Sequence, residues 1–323
     1  MATLESFGRP LVGGLFVLVA LIGLIGSAIQ NPKPHDIPVG LAGPPPAMQQ
    51  IESSFGSAAP GAFQFTSYAS EQDARAALDA RTVDGVVVLG GTSPKIIVAG
   101  AAGDAATGVI TAAFTSAFKA QGAVPTVETV HPFAAGDAHG LVLFFVVVAA
   151  LVGTLVAQVL LATTAKDAML VPRLTFIVVF AALVGLTGMG TAAWIVGGYG
   201  DGFWAAAGLV ALASAAVGAV MGGSARLLGP AGIGLSALVV VLLDLVCSGG
   251  PAGSRLLPDF YRWLAPGMPA GQLYDATRGA LFFDSASLTT PIVVLSMWLV
   301  AGLVLMVLGE LPATRSRKSV AVA

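Results

Sequence analysis

Between His139 and Ser248 the chain sets four apolar segments in series, Leu141 to Thr163, Leu174 to Gly197, Phe203 to Gly222 and Ala231 to Cys247, with only short connections between them. Each approaches or exceeds the roughly 20 residues that a helix needs to cross the hydrocarbon core of a bilayer. The only charged residue type inside them is Asp244. A water-soluble core has no use for four such runs in a row. Lipid cannot hydrogen-bond a bare backbone, so segments of this kind must be helices packed into one bundle.

Two further runs flank the block. Leu11 to Ile29 follows a short head bearing Glu5 and Arg9, and Pro291 to Gly309 precedes a basic tail with Arg315, Arg317 and Lys318. Gly26-Ser27-Ala28 would suit a signal peptidase, but the apolar run before it is longer than the 7 to 15 residues usual in a signal peptide, so it is read as a span. The composition agrees with a membrane protein: 56% hydrophobic, 10% charged and a mean hydropathy of +0.88, against about 25% charged in soluble domains. A net charge of -2 gives no reason to expect nucleic acid. The single cysteine, Cys247, rules out an intramolecular disulfide.

Lysine and arginine in short connections favour the cytoplasm. With the N-terminus inside, the inner connections carry Arg9, then Lys166 and Arg173, then Arg226, then the basic tail, while the outer hairpin Gly198 to Gly202 carries only Asp201. The expected architecture is an α-helical membrane protein with six transmembrane helices and an extracytoplasmic α/β domain between helices 1 and 2. Its parts are a first span (1–29), the α/β domain (30–138), a four-helix block (139–248), an outer interfacial or re-entrant loop (249–290), a last span (291–309) and a cytoplasmic tail (310–323).

The α/β expectation comes from the alternation of patterns after a proline-rich strut, Asn31 to Pro38. Ile37 to Ala42 predicts a strand, Pro45 to Phe55 a helix opened by proline, and Phe63 to Tyr68 a second strand. Ser70 predicts a cap for a helix over Glu71 to Arg81, with acids in its first turn. Val83 to Leu89 and Lys95 to Ala99 predict strands, Ala105 to Ala120 a helix, and Val124 to Pro132 an extended return to the membrane. No catalytic pattern emerges: His131 and His139 lack a matching set of cysteines or carboxylates for a metal, and there is no G-x-S-x-G elbow. His35 and Asp36 sit in the strut and read as spacer.

Within the spans, Ser214, Gly218 and Gly222, then Gly232 and Ser236, repeat every four residues and predict closely approached helices. Gly185 to Gly190 is read the same way. Asp244 is a candidate membrane acid, because ionisable groups inside spans are costly. Its expected role is a cap or an ion pair with Arg255 or Arg278 near the outer interface, with a transported proton as the other possibility. The outer loop predicts two short helices broken at prolines. In the first, Leu256, Leu257, Phe260, Trp263 and Leu264 share a face; in the second, Ala270 to Phe283, Leu273, Thr277 and Ala280 do.

In layout, and in the runs NPKPHDIP (Asn31 to Pro38) and Gly250-Pro251 through Leu257-Pro258, Pro266, Pro269 and Arg278, the chain resembles the permease subunits of type-2 ABC exporters, nearest to the phage-infection-protein group. That resemblance implies a homo- or heterodimer in a bacterial-type cytoplasmic membrane, both termini inside, moving a lipid-like, peptide or drug-like substrate outward with a separate ATPase subunit. It implies no cofactor in this chain, an outer gate carrying Pro258, Trp263, Pro266, Pro269 and Arg278, and an ATPase coupling loop with Lys166, Asp167 and Arg173. The chain has no G-x-x-x-x-G-K-[ST] phosphate loop, which fits the need for an ATPase partner. Family permeases usually start with an amphipathic cytoplasmic helix, whereas nine residues precede Pro10 here, which leaves coupling to Thr163 to Arg173. Two other functions compete: an envelope receptor or assembly protein displaying the α/β domain, and a proton-coupled carrier using Asp244.

Overall fold

The computed structural model describes residues 2–91, 93–165 and 168–310. Among the described residues, six helical segments are long and apolar enough to cross a membrane. They are α1 (Ala2–Ile29), α5 (Leu141–Thr164), α6 (Leu170–Val196), α7 (Phe203–Leu228), the run Pro230 to Cys247, and α12 (Thr289–Leu308). The fourth runs past the expected Gly222 to Leu228, ending where Gly229 adopts a positive φ. The fifth is not uniform: α8 (Pro230–Ser236) passes into a π-helical stretch, Ala237–Leu243, and returns to α-helix as α9 (Asp244–Cys247). A π-turn adds a residue to the coil and often marks a functional position.

Helices in lipid gain little from apolar burial, so close backbone approach must hold them together. Here α7 is the hub. Its Ser214 hydroxyl meets Thr154 of α5 at 2.8 Å. A Cβ added at Gly218 or Gly222 would lie 3.3 Å from the Gln158 amide. On another side, a Cβ at Gly302 of α12 would lie 2.4 Å from the Val220 nitrogen, and one at Gly223 2.5 Å from Leu305. Gly185 of α6 packs on the Ala207 carbonyl in the same way. The small-residue repeat therefore serves contacts inside one chain.

Between α1 and α5 lies a five-stranded sheet in the order β2-β1-β3-β4-β5, comprising β1 (Ile37–Ala42), β2 (Phe63–Tyr68), β3 (Gly85–Val88), β4 (Lys95–Ala99) and β5 (Thr126–Val130). All pairs are parallel except β3 with β4. The connecting helices are α2 (Pro45–Ala58), α3 (Glu71–Asp79) and α4 (Asp104–Ala120). Ser70 caps α3 as its sequence predicts, its Oγ accepting from Asp73 N at 3.1 Å. The helix stops two residues short of the expected Arg81, which takes a φ of 59°.

The alternation of each strand divides the lobe's core in two. Ile37, Val39, Leu41, Ile96 and Val98 pack against α2 and against Ile110, Phe114 and Phe118 of α4. The opposite face, with Val86, Ile97 and Ala99, packs on Ala74 and Leu78 of α3 and on Phe133 and Phe283. Phe283 belongs to the segment between the fifth and sixth apolar helices, so the lobe's second core is completed from outside the lobe. Each such side chain, fully buried, contributes roughly 1.5–3 kcal/mol.

That segment holds two helices, α10 (Asp259–Leu264) and α11 (Pro269–Phe282). α11 enters the end of the bundle: Ala270, Leu273, Tyr274, Ala276 and Ala280 join the core made by α5 and α7. Leu273, Thr277 and Ala280 are all buried, as the spacing predicts. The face assigned to α10 needs correction. Pro258 starts the helix too late to include Leu256 and Leu257, so Leu257 and Tyr261 face inward, whereas Phe260 is exposed and Trp263 is 79% exposed.

Gly302→Leu should force α12 off α7 and cost about 1–3 kcal/mol, the usual range for overpacking. Thermal unfolding of the purified protein in detergent checks this; an unchanged midpoint would mean that the α7–α12 approach is not tight.

Candidate functional site

A cluster of polar groups lies where the lobe meets α11. Arg81, just past α3, donates through Nη2 to Asp275 Oδ1 at 2.5 Å and through Nη1 to the Asp275 carbonyl at 3.0 Å. Arg278, one turn along α11, donates to the same Oδ1 at 2.9 Å, and its Nη1 reaches the Ala102 carbonyl beyond β4 at 2.5 Å. Both guanidiniums also lie over rings, Arg81 over Phe283 at 4.9 Å and Arg278 over Tyr274 at 4.7 Å. His131, at the end of β5, adds Nδ1 to the Phe282 carbonyl at 2.8 Å and Nε2 to Asp79 at 2.8 Å. One carboxylate thus ties two arginines from opposite sides of the joint.

The other end of α11 is held from within the bundle. Asp244 is fully buried, and both of its carboxylate oxygens accept from Ala270 N, at 2.8 and 2.9 Å. It therefore caps α11, satisfying a donor that would otherwise be orphaned. The ion pair with Arg255 or Arg278 expected from the sequence does not form: Arg278 is on Asp275, and Arg255 donates to the Asp36 carbonyl at 2.5 Å. Asp137 does the same service at α5, accepting from Val142 N at 3.0 Å and Leu143 N at 3.1 Å. Sequence reasoning missed it, although a D-x-x-G ahead of an apolar run is the available signal.

Between these anchors is a cavity of about 300 Å³ lined by Arg81, Asp84, Arg255, Asp275, Arg278 and Ser248, among others. Arg255 Nε stands 3.7 Å from Asp84. Burial pushes the Asp84 carboxyl above the usual carboxylate range, with Arg255, Arg278 and Arg81 only partly offsetting it. Asp275 is lowered instead: burial alone would raise it, but Arg278 and Arg81 together outweigh that. The strut is not a free spacer either. Asp36 pairs with Arg262 of α10 at 3.1 Å, and His35 N donates to the Arg255 carbonyl at 3.0 Å.

The five candidate gate residues do not form one cluster. Pro266 and Arg278 line the cavity, Pro269 is the buried first residue of α11, Pro258 precedes α10, and Trp263 lies on the outer surface. Lys166 and Asp167 lie outside the described residues. Arg173 is buried, with Nε on the Ala168 carbonyl at 3.0 Å and Nη2 on the Ala165 carbonyl at 2.9 Å. It neutralises the carbonyl end of α5 and shapes the connection to α6 from inside. Arg226 joins it on the Ala168 carbonyl at 3.2 Å and pairs with Glu310. Among the described residues, no group of three or more His, Cys, Asp or Glu could hold a metal.

No protein-family model matches this sequence, and no curated protein or solved structure matches it either.

A carboxyl whose folded pKa lies above its unfolded value, near 3.9 for aspartate, favours the folded state below that value and loses this contribution as pH rises through the folded pKa. Asp84→Asn should therefore raise the unfolding midpoint at pH 7 and make no difference near pH 3.5. A pH series of thermal melts on both proteins checks it.

Proposed function

We propose that the chain is the membrane-embedded permease subunit of an exporter powered by a separate ATPase. The lobe stands outside the cell, and α11 works as an outer gate helix. The reading rests on one observation above the rest: α11 is capped inside the bundle by Asp244 and clamped to the lobe through Asp275, Arg81 and Arg278. A short helix with a broken approach, at the depth of the bundle, is tolerated only inside protein or beside water. A helix held at both ends is a lever by which rearrangement of the lobe or the bundle opens or closes a path between them.

The lobe, the strut and α10 gather at the end of the bundle where α5 and α7 begin, while Arg173 and Arg226 gather at the other. By the positive-inside rule the arginine end is cytoplasmic. The ATPase then docks at the α5–α6 connection, around Lys166, Asp167 and the carbonyls that Arg173 holds. The substrate is lipid-like, peptide or drug-like, consistent with the apolar walls of the helices. A second copy or a related chain would complete the translocation path. In this reading Asp244 is a fixed cap and carries no proton across.

The test is purification from native membranes with an associated ATPase, followed by reconstitution, where export and substrate-stimulated hydrolysis are expected. Complete absence of any ATPase partner contradicts the proposal. Asp244→Asn keeps one carbonyl oxygen for Ala270 N and should retain export at every pH; loss of transport at every pH would favour a proton carrier.

A further inference from the structure

The cavity beneath the lobe carries more positive charge than the clamp uses. Three guanidiniums, Arg81, Arg255 and Arg278, face two carboxyls, Asp84 and Asp275. A single carboxylate, Asp275, serves both Arg81 and Arg278. Among the described residues Arg255 has no carboxylate within hydrogen-bond distance, since Asp84 is 3.7 Å from its Nε, and its Nη1 donates to the Asp36 carbonyl. Arg278, only 10% exposed, turns its donors to protein, Nη1 to the Ala102 carbonyl and Nη2 to Asp275, with Nε fully buried, so it gives the cavity charge rather than a free donor.

We propose that this cavity binds a tetrahedral oxyanion, the phosphate of a lipid headgroup or of a small soluble ester, on the guanidinium of Arg255 in the positive field of Arg81 and Arg278. The planar fork of arginine suits phosphate oxygens, which take two parallel N–H donors from it. The volume, about 300 Å³, lies at the lower end for ligand sites and accommodates a headgroup or a small ester. Ser248, Ser254 and Gln272 add polar lining. The site is independent of whether the chain transports anything.

Asp84 sets the charge of this cavity. It is faced by Arg81 beyond α3, by Arg255 from the turn Ser254–Leu256, and by Asp275 and Arg278 from α11. Its protonation removes a negative charge opposite the guanidiniums, so occupancy does not drop as pH is lowered.

The experiment uses the full chain in nanodiscs of phosphatidylcholine, with radiolabelled sulfate as the probe, because its charge is constant between pH 5.5 and 8. Saturable binding is expected at pH 8, and no weaker at pH 5.5. Arg255→Gln, which leaves the Asp275 clamp intact, should weaken it about tenfold or more, the size of a lost charged hydrogen bond. Asp84→Asn should bind at least as tightly at pH 8. With phosphatidylglycerol added to the discs, loss of sulfate binding identifies the lipid headgroup as the occupant, and unchanged binding identifies a soluble oxyanion. Absence of saturable binding at both pH values, or binding by Arg255→Gln equal to that of the unmodified chain, overturns the proposal.

Discussion

A single carboxylate, that of Asp275, takes hydrogen bonds from Arg81 on the lobe and from Arg278 on its own helix. Everything around it enforces that arrangement. Arg278 spends its other arm on the Ala102 carbonyl, so α11 is tied to the sheet through backbone as well as through charge. Phe283 follows α11 directly and fills the lobe's second core, stacked on His131 at 4.7 Å. Because side-chain packing and a shared ion pair act on the same few residues, the lobe and α11 behave as one body. Asp275 is 39% exposed and its pairs are partly screened, so packing supplies the holding energy while the charges set orientation.

The bundle imposes a different constraint. Helix ends inside it are costly to leave bare, and three of them are answered by specific groups: Asp137 for the start of α5, Asp244 for the start of α11, and Arg173 for the carbonyl end of α5. Polar side chains in the interior are therefore structural in the first instance. The π-helical stretch Ala237–Leu243 precedes Asp244 directly, and the extra residue per turn changes the direction in which that carboxylate faces. Cap and π-turn together set where α11 begins.

Features governed by neighbours along the chain are legible from the amino-acid sequence alone. The six apolar runs, the strand–helix alternation from Ile37 to Val130 and the Ser70 cap all depend on local pattern, and their bounds differ by a few residues at most, apart from the start of α1 at Ala2 and the extension of α7 to Leu228. Arg81 lies outside its helix because its positive φ turns the chain toward Asp275, 194 positions away. No periodicity encodes such a partner. Asp244 is legible as a cap, yet its partner is not: arginines attract attention as charges, whereas the true donor is the backbone of Ala270. The face of α10 fails for a local reason, since Pro258 shortens the helix to six residues and removes Leu256 and Leu257 from it. Arg173 resembles a surface charge because its connection is short and basic; burial turns it inward onto carbonyls.

If the lobe and α11 are one body, loosening Asp275 must be felt on both sides of the joint. Hydrogen exchange on Asp275→Asn, compared with the unmodified protein, measures this directly. The account predicts faster amide exchange in residues 269–282 and in residues 71–88 together, by similar factors. Faster exchange in only one of the two segments would show that they open independently and would contradict it.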